Sequence, residues 1–189
     1  MYWHNFIEVT GFVPVTANSR FQAGSALAGQ FRELLDPETV TLVPHAAYSV
    51  SADLFHLINR ETDGSLISIH NQESREENRL FLEGQGQMRD LYRQLGIDIG
   101  FFKPTGTSSL RHWLSLLNRG QKIISVHNTF TSEDDTAFQL ECRRAGGLSE
   151  MYYCLCIGAN LYIENALPDV EMFMGKGRRM IIGTDSYAS

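Results

Sequence analysis

Residues 66–74 read LISIHNQES, a short apolar run that stops at His70 and is followed three residues later by Glu73. A nearly continuous apolar run of this length is typical of a strand buried on both faces, and such strands belong to parallel sheets. In α/β proteins, side chains converge on ligands at the C-terminal ends of these strands. The stretch therefore predicts a histidine at the mouth of a parallel sheet, where it could bind a metal, with a carboxylate nearby that could move protons. Taken alone, His70 is more simply explained as a polar cap on the strand.

The same pattern occurs three more times along the chain. Each of three further β-type runs ends in a group that can ligate a metal, titrate or hydrogen-bond: residues 39–44 precede His45, residues 122–126 precede His127, and residues 180–183 precede Thr184 and Asp185. Parallel strands of one sheet place their C-terminal ends on the same rim. We therefore expect these side chains to meet around one ligand.

The bulk composition is that of an ordinary globular protein. The 189 residues are 43% hydrophobic and 20% charged, which suits one sizeable core rather than two independent domains. The net charge of −6, without a basic stripe, disfavours a nucleic-acid partner or an anionic membrane. No run approaches the ~20 apolar residues of a membrane span. The N-terminal residues MYWHNFIEV lack a cationic start and an apolar core, so no secretory signal is expected.

The three cysteines, Cys142, Cys154 and Cys156, form an odd set without disulfide spacing. Reduced thiols and a cytoplasmic location are therefore expected. Cys154 and Cys156 are two residues apart in an apolar run, so they share one face of a strand. The pair could bind a soft metal, but small buried core residues are the favoured interpretation.

Strand and helix patterns alternate along the whole chain. The predicted strands are residues 3–9, 39–44, 66–70, 122–126, 151–156 and 178–183. The predicted helices cover residues 19–35, a segment capped by Ser51, the charged stretch 74–84, a piece reaching Leu95, residues 108–117, and a segment opened by a capping box of Ser132 and Asp135. Residues 157–168 are predicted to be a loop, with Pro168 in the first turn of a short helix. Glu76, Glu77 and Arg79 are interpreted as a solvated helix face.

This alternation, without hairpin signals, predicts a parallel sheet with right-handed crossovers. A complete (β/α)8 TIM barrel has ~250 residues, or ~31 per βα unit, so about six units fit this chain. The predicted fold class is therefore α/β, a partial TIM barrel formed by residues 1–189 as a single incomplete domain. An open doubly wound sheet is the competing fold, but such a sheet binds ligands at one crevice rather than at nearly every strand end.

The strand ends carry the groups of a metal-dependent hydrolase. His70 and Asp185 suit metal ligation by zinc or iron, and a bound metal would lower the pKa of a water molecule to roughly 7. Glu73 is placed to accept the water proton and pass it to a leaving group, as a general acid and base. His127 could orient the water or polarise the electrophile, and His45 could contact the substrate.

Two ligands are too few for a tight mononuclear site, so part of the coordination sphere is missing from this sequence. Thr184 and Ser186 flank Asp185 and are expected to hold it by hydrogen bonds.

Five ordered blocks of the sequence carry a family resemblance. They are PHAAYSVS at residues 44–51, SIHNQESREE at 68–77, SVHNTFTSEDD at 125–135, NLYIENALP at 160–168 and GTDSYAS at 183–189. In this order they resemble the amidohydrolase superfamily, in its aminohydrolase and chlorohydrolase branch of cytosine, guanine, adenosylhomocysteine and aminofutalosine-type deaminases. The blocks span nearly the whole chain, and they are specific for the superfamily but not for a substrate.

The resemblance implies a distorted TIM barrel with one divalent metal at its mouth, zinc being favoured over iron. It assigns His70 and Asp185 as metal ligands, and Asp185 also as an activator of the water. It assigns Glu73 as a proton shuttle that also contacts substrate, His127 as a neighbour of the water and substrate, and His45 as a substrate contact.

The departures from the family pattern are as informative as the matches. The family's first strand carries an HxH pair of metal ligands, and no HxH occurs in this sequence. Counted back from His70 as the fifth-strand ligand, residues 3–9 correspond to the third barrel strand, so the first two strands are expected to be absent. Ala47 stands where proline is common, and Ile157-Gly158 stand where a Cys-Pro-Asn sequence is common; both changes concern the substrate more than the metal.

The combined hypothesis is an internal piece or truncated form of a hydrolase acting on carbon–nitrogen bonds other than peptide bonds. The intact enzyme would replace the amino group of a small heterocycle with water through a metal-bound hydroxide, whereas this chain alone would bind metal weakly and turn over little. The alternative is a non-catalytic partial barrel that associates with a complementary chain, because unpaired strand edges recruit partners or further copies of the chain. A phosphate-handling barrel isomerase is a weaker third candidate, because no glycine-rich anion loop precedes a helix.

Overall fold

The computed structural model describes residues 3–185, in which six β-strands alternate with eight α-helices. The strands are β1 (Asn5–Val9), β2 (Val40–Pro44), β3 (Leu66–Asn71), β4 (Gln121–His127), β5 (Leu148–Leu155) and β6 (Arg179–Ile182). The helices are α1 (Ala17–Leu34), α2 (Ala52–Glu61), α3 (Arg75–Glu83), α4 (Gln87–Gln94), α5 (Ser109–Leu116), α6 (Glu133–Arg144), α7 (Ile157–Glu164) and α8 (Val170–Gly175). Within this described range, no helix has both the length and the apolar character needed to cross a membrane.

All strand pairs in the described chain are parallel and follow the order of the sequence. Strand β1 pairs with β2, and β3, β4, β5 and β6 pair in succession. An isolated bridge between Ala46 and His70 joins the two groups, and the His70 backbone N–H donates to the His45 carbonyl at 2.9 Å. A doubly wound sheet would reverse its strand order at a switch point, and these strands do not. The arc is therefore a partial TIM barrel, as the sequence predicts, and within the described residues five of its six strands are followed by a helix.

The strands form the core of this arc, but β2 and β3 are buried differently. All five residues of β2 are buried, as expected for a strand covered on both faces. In β3, Ile67, Ile69 and Asn71 are buried while the alternate positions are half-buried. His70 occupies one of these half-buried positions, so its ring remains accessible at the C-terminal end of the strand.

Serine side chains fix the starts of four helices. The hydroxyls of Ser51, Ser74, Ser108 and Ser132 accept backbone N–H groups in the first turns of α2, α3, α5 and α6. At α6, Asp135 completes a capping box by accepting the backbone N–H of Ser132. The predicted Ser51 cap and the predicted capping box are thus both confirmed.

Two local predictions near the last strands are wrong. Residues 157–168 were expected to form a loop, but residues 157–164 form α7. The N-cap of this helix is Cys156, whose side chain makes no capping hydrogen bond, so the sequence contains no start signal. The short helix α8 is capped by Asp169, which accepts the Met172 backbone N–H, and Pro168 therefore lies before its first turn.

The cysteines are free thiols, as predicted. Cys154 and Cys156 are 7% and 2% exposed and pack with Ile124, Val126 and Ile181. This packing agrees with the interpretation of the pair as small core residues.

Helix α1 packs closely on the first two strands because Gly24 has no side chain. A Cβ atom at Gly24 would lie 2.5 Å from Val9 Cγ2 and 2.8 Å from Leu42 Cδ1, whereas a Cβ at Gly29 of the same helix meets no atom within 4 Å. Gly24 therefore leaves no room for a side chain, whereas Gly29 on the same helix does, and Gly29 can serve as the control position.

We expect Gly24→Ala to lower the free energy of unfolding, because overpacking costs ~1–3 kcal/mol and outweighs the better helix propensity of alanine. Gly29→Ala is expected to raise it by up to ~1 kcal/mol, since only the propensity term applies. Urea unfolding of both variants measures the difference. Equal effects at the two positions would contradict the described packing of α1.

Candidate metal centre and active site

Four predicted site residues lie at one rim, each delivered by the end of a different strand. His45 follows β2, His70 lies at the end of β3, His127 ends β4, and Asp185 follows β6. The ring centroids of His45 and His70 are 4.8 Å apart, and those of His70 and His127 are 5.3 Å apart. Parallel pairing in register produces this convergence, because it aligns the C-terminal strand ends.

The ring of His70 is oriented by its neighbour on β2. Its Nδ1 atom lies 3.0 Å from the His45 carbonyl oxygen, which can only accept a hydrogen bond. Nδ1 therefore carries a proton, and in the neutral ring Nε2 presents a lone pair. That Nε2 atom lies 3.9 Å from Asp185 Oδ1. Two electron-rich groups thus face each other across the mouth.

This arrangement fits a divalent metal. Within residues 3–185, two groups of three side chains place ligand atoms within 4.8 Å of one another: Glu8, His45 and His70, and His70, His127 and Asp185. The 3.9 Å between His70 Nε2 and Asp185 Oδ1 is shorter than two zinc–ligand bonds of ~2.0–2.2 Å placed end to end, so one ion can reach both atoms. In the other group, the Glu8 carboxylate lies 3.6 Å from His70 Nδ1. That nitrogen already donates a hydrogen bond to the His45 carbonyl, so it has no lone pair for a metal. The group containing Asp185 is therefore the better metal site.

Glu73 and His127 form a second pair beside this site. Glu73 Oε1 lies 3.4 Å from His127 Nε2, and the side chains are 18% and 1% exposed respectively. Glu73 therefore reaches solvent, while the imidazole is enclosed by protein. The pair can pass a proton between a carboxylate and a bound molecule at the mouth.

His45 lies at the same mouth, beside His70. Its Nδ1 atom is 2.7 Å from the Ser49 hydroxyl. Burial lowers the pKa of His45 to about 4, with further lowering by the nearby His70 and His127 and an opposing effect of Asp185. His45 is therefore neutral near pH 7 and can offer a hydrogen bond without adding charge.

The residues on either side of Asp185 were predicted to hold its carboxylate. Thr184 is exposed, and Ser186 lies outside the described residues. Asp185 itself has a positive φ of 59°, an uncommon conformation for a residue other than glycine.

The prediction that Glu77 lies on a solvated face of α3 is wrong. Its side chain is buried, and its two carboxylate oxygens accept the backbone N–H groups of Gln72 at 3.0 Å and Glu73 at 3.2 Å. Gln72 has a positive φ of 48°. Burial raises the pKa of Glu77 to about 7, although these N–H donors oppose the shift. Glu77 therefore fixes the loop that carries Glu73.

Two further residues at the mouth escaped the sequence prediction. The Glu8 carboxylate lies 3.6 Å from His70 Nδ1. Tyr48 has a raised pKa, caused first by burial and then by the charges of Glu73 and Glu77. Glu8 lies near the end of the first predicted strand, and Tyr48 belongs to the quoted block after His45, so their position in the chain was the only available signal.

No family model matches the sequence, and no curated protein is significantly similar to it. Solved structures are similar in fold. Aminofutalosine deaminase from Helicobacter pylori matches with a TM-score of 0.79 at 20% identity over 95% of this chain. An adenosine deaminase from Xanthomonas campestris with bound zinc matches with a TM-score of 0.62 at 19% identity over 97%. An amidohydrolase from Brucella melitensis matches with a TM-score of 0.57 at 14% identity over 97%.

The chain has the fold of an amidohydrolase barrel. It spans 43%, 37% and 37% of the lengths of these three structures, respectively, so it corresponds to part of such a barrel. The family resemblance inferred from the five sequence blocks is thus confirmed at the level of fold.

The buried carboxyl of Glu77 gives this amidohydrolase-type barrel a pH-dependent stability. Its folded-state pKa of about 7 lies above the ordinary 4.5, so the folded state holds this proton more tightly than the unfolded state. The contribution is therefore fully present below pH 4.5 and is lost as pH rises through about 7. We expect the stability advantage of wild type over Glu77→Gln to shrink by up to ~3 kcal/mol across this range.

Urea unfolding at a series of pH values measures this difference. Glu83→Gln removes one carboxylate from an exposed position of the same helix and serves as the reference for the charge change. A difference between wild type and Glu77→Gln that stays constant or grows with pH would contradict the assignment.

Proposed function

We propose that this chain forms part of the active site of a metal-dependent aminohydrolase of the amidohydrolase superfamily. The reaction would replace an amino group on a small heterocycle with a water-derived hydroxyl or carbonyl oxygen, releasing ammonia. The observation that carries the proposal is the meeting of His70 Nε2 and Asp185 Oδ1, 3.9 Å apart, with His127 and Glu73 beside them. The deaminases among the similar structures support the reaction class.

His70 and Asp185 would hold one divalent metal, and zinc is favoured over iron. The zinc bound to the similar adenosine deaminase supports this choice. When bound, such an ion lowers the pKa of water and polarises the bond under attack. The proposed ligands are well suited, because the protonated Nδ1 of His70 leaves Nε2 as a donor of electrons and Asp185 adds a negative charge.

Proton transfer would fall to Glu73. Its carboxylate accepts a proton from the attacking water as the carbon–oxygen bond forms, and it returns that proton to the amino nitrogen as the carbon–nitrogen bond breaks. The Glu77 clamp on the backbone of Gln72 and Glu73 supports this role, because a general base must be held at a fixed distance from its proton.

The remaining mouth residues would position the reactants. His45, neutral and half-buried, would contact the heterocycle, and Asp185 would help to activate the water. His127 would sit beside both the water and the substrate, since its Nε2 atom lies 3.4 Å from Glu73.

The sequence supplies two of the four protein ligands that the family resemblance implies, because it contains no HxH pair. We therefore expect the isolated chain to bind metal weakly and to release ammonia slowly. Stoichiometric tight zinc binding together with fast ammonia release from aminopurines or aminopyrimidines would contradict this expectation.

The proposed roles separate in a metal titration. His70→Ala removes one ligand and Asp185→Asn removes the negative charge of the other, and each is expected to weaken zinc binding about tenfold or more. Glu73→Gln removes the proton shuttle but no ligand, so its zinc affinity should stay within about threefold of wild type while ammonia release is lost. Isothermal titration calorimetry measures the affinities, and His56→Ala, at an exposed site on α2, is the matched histidine control. Unchanged zinc affinity in His70→Ala and Asp185→Asn would overturn the assigned metal site.

A second candidate is a non-catalytic partial barrel that associates with a complementary chain. Within the described residues, β1 and β6 each pair with a single strand, and Ile182 on β6 is 85% exposed. Unpaired edges of this kind recruit other strands. This candidate requires association, so a single monomeric species in size-exclusion chromatography at all concentrations would exclude edge-driven self-assembly.

A further inference from the structure

A buried asparagine on α7 contacts the imidazole of His127 at two points. Asn160 is fully buried, and its backbone N–H donates to the Cys156 carbonyl in the first turn of the helix. Its side-chain Nδ2 lies 3.2 Å from the His127 carbonyl oxygen, and its Oδ1 lies 3.1 Å from His127 Nδ1. One amide thus bridges the main chain and the ring of the same histidine.

Hydrogen-bond chemistry fixes the direction of this bridge. A backbone carbonyl has only lone pairs, so the Asn160 atom facing the His127 carbonyl must be the NH2 group. The other end of the amide, facing His127 Nδ1, is then a carbonyl oxygen, which can only accept. Nδ1 must therefore carry a proton, and the neutral ring is left with its lone pair on Nε2.

The Nε2 atom of His127 has an unusual environment. It is buried and has no hydrogen-bond partner among residues 3–185, and Glu73 Oε1 lies 3.4 Å from it. A lone pair and a carboxylate repel each other unless a hydrogen-bond donor lies between them. Water supplies two O–H donors and can satisfy both groups at once.

We propose that Asn160 is a positioning residue that holds His127 in the Nδ1–H tautomer, so that Nε2 accepts a hydrogen bond from the reacting water. His127 would then orient the water rather than polarise the electrophile, because Nε2 has no proton to donate. The role of the water rests on the proposed function, whereas the tautomer itself can be measured without turnover.

Asn160 also restrains the backbone conformation of His127. His127 has a positive φ of 73°, and the following Asn128 has one of 59°. Such conformations are strained and persist only where neighbouring groups hold them. The hydrogen bond from Asn160 Nδ2 to the His127 carbonyl is one such restraint, so the residue fixes both the tautomer and the direction of the ring.

Long-range ¹H–¹⁵N NMR of protein labelled at histidine nitrogen tests the proposal. The His127 signals are assigned by their loss in His127→Asn. In the neutral ring of wild type we expect a protonated Nδ1 and an unprotonated Nε2, in both metal-free and zinc-treated protein. Asn160→Leu should lose this pattern in favour of the other tautomer or a mixture.

Asn160→Asp provides the rescue, because a carboxylate still accepts from Nδ1–H although it cannot donate to the His127 carbonyl. It should keep the Nδ1–H signal, and it keeps the test decisive where Asn160→Leu does not fold. Tyr162→Ala, at a 78% exposed site on the same helix, is the control and should leave the His127 signals unchanged.

A wild-type His127 protonated at Nε2, or an unchanged pattern in Asn160→Leu, would overturn the proposal. Zinc binding that still depends on His70 and Asp185 would show that the proposed function survives such a failure. Conversely, the expected tautomer together with a zinc affinity that is unchanged in His70→Ala and Asp185→Asn would leave Asn160 as a positioning residue and reject the proposed metal site.

Discussion

The carbonyl oxygen of His45 joins β2 to β3 and orients the ring of His70, the proposed metal ligand. It accepts two hydrogen bonds from His70, one from the backbone N–H at 2.9 Å and one from the ring Nδ1 at 3.0 Å. The first connects β2 to β3, where the ladder is otherwise reduced to an isolated bridge. The second sets the tautomer that directs Nε2 towards Asp185. The junction between β2 and β3 and the orientation of the His70 ring thus depend on the same atom.

A shell of buried polar groups supports the mouth from outside. Gln72 and Asn128 have positive φ angles, and side-chain amides and hydroxyls hold both turns. The Gln72 amide donates to Asp135, and the Asn128 amide donates to the carbonyls of Ser125 and Cys154. Buried polar groups of this kind cost stability unless every one is paired, so a well-paired network defines a single arrangement. In this chain that arrangement presents Glu73 and His127 to one another.

Much of the framework follows from the sequence because it depends on local patterns. Apolar runs that stop at His45, His70 and His127 predict strands and their polar ends, and serine caps predict helix starts. These signals suffice for an arc of parallel strands, and strand order in the structure excludes the doubly wound alternative. They also suffice to gather the histidines and Asp185 at one rim.

The remaining features depend on contacts that periodicity does not report. Glu77 lies in a charged helical stretch, and only the path of the loop at residues 72–73 turns it into a buried clamp. Residues 157–164 form α7 without a capping side chain, so the helix that carries Asn160 had no start signal. Asn160 in turn gains its importance from two atoms of a residue 33 positions earlier. Such pairings are set by tertiary structure, and they decide which proton each imidazole holds.

The central claim is that side chains far apart in sequence meet around one cation. Anomalous diffraction at the zinc absorption edge, from crystals grown with zinc, tests it most directly. The account predicts a single dominant zinc peak within ~2.0–2.2 Å of His70 Nε2 and an Asp185 carboxylate oxygen. A zinc peak elsewhere with none at this mouth, or His70 and Asp185 on opposite sides of the molecule, would contradict it.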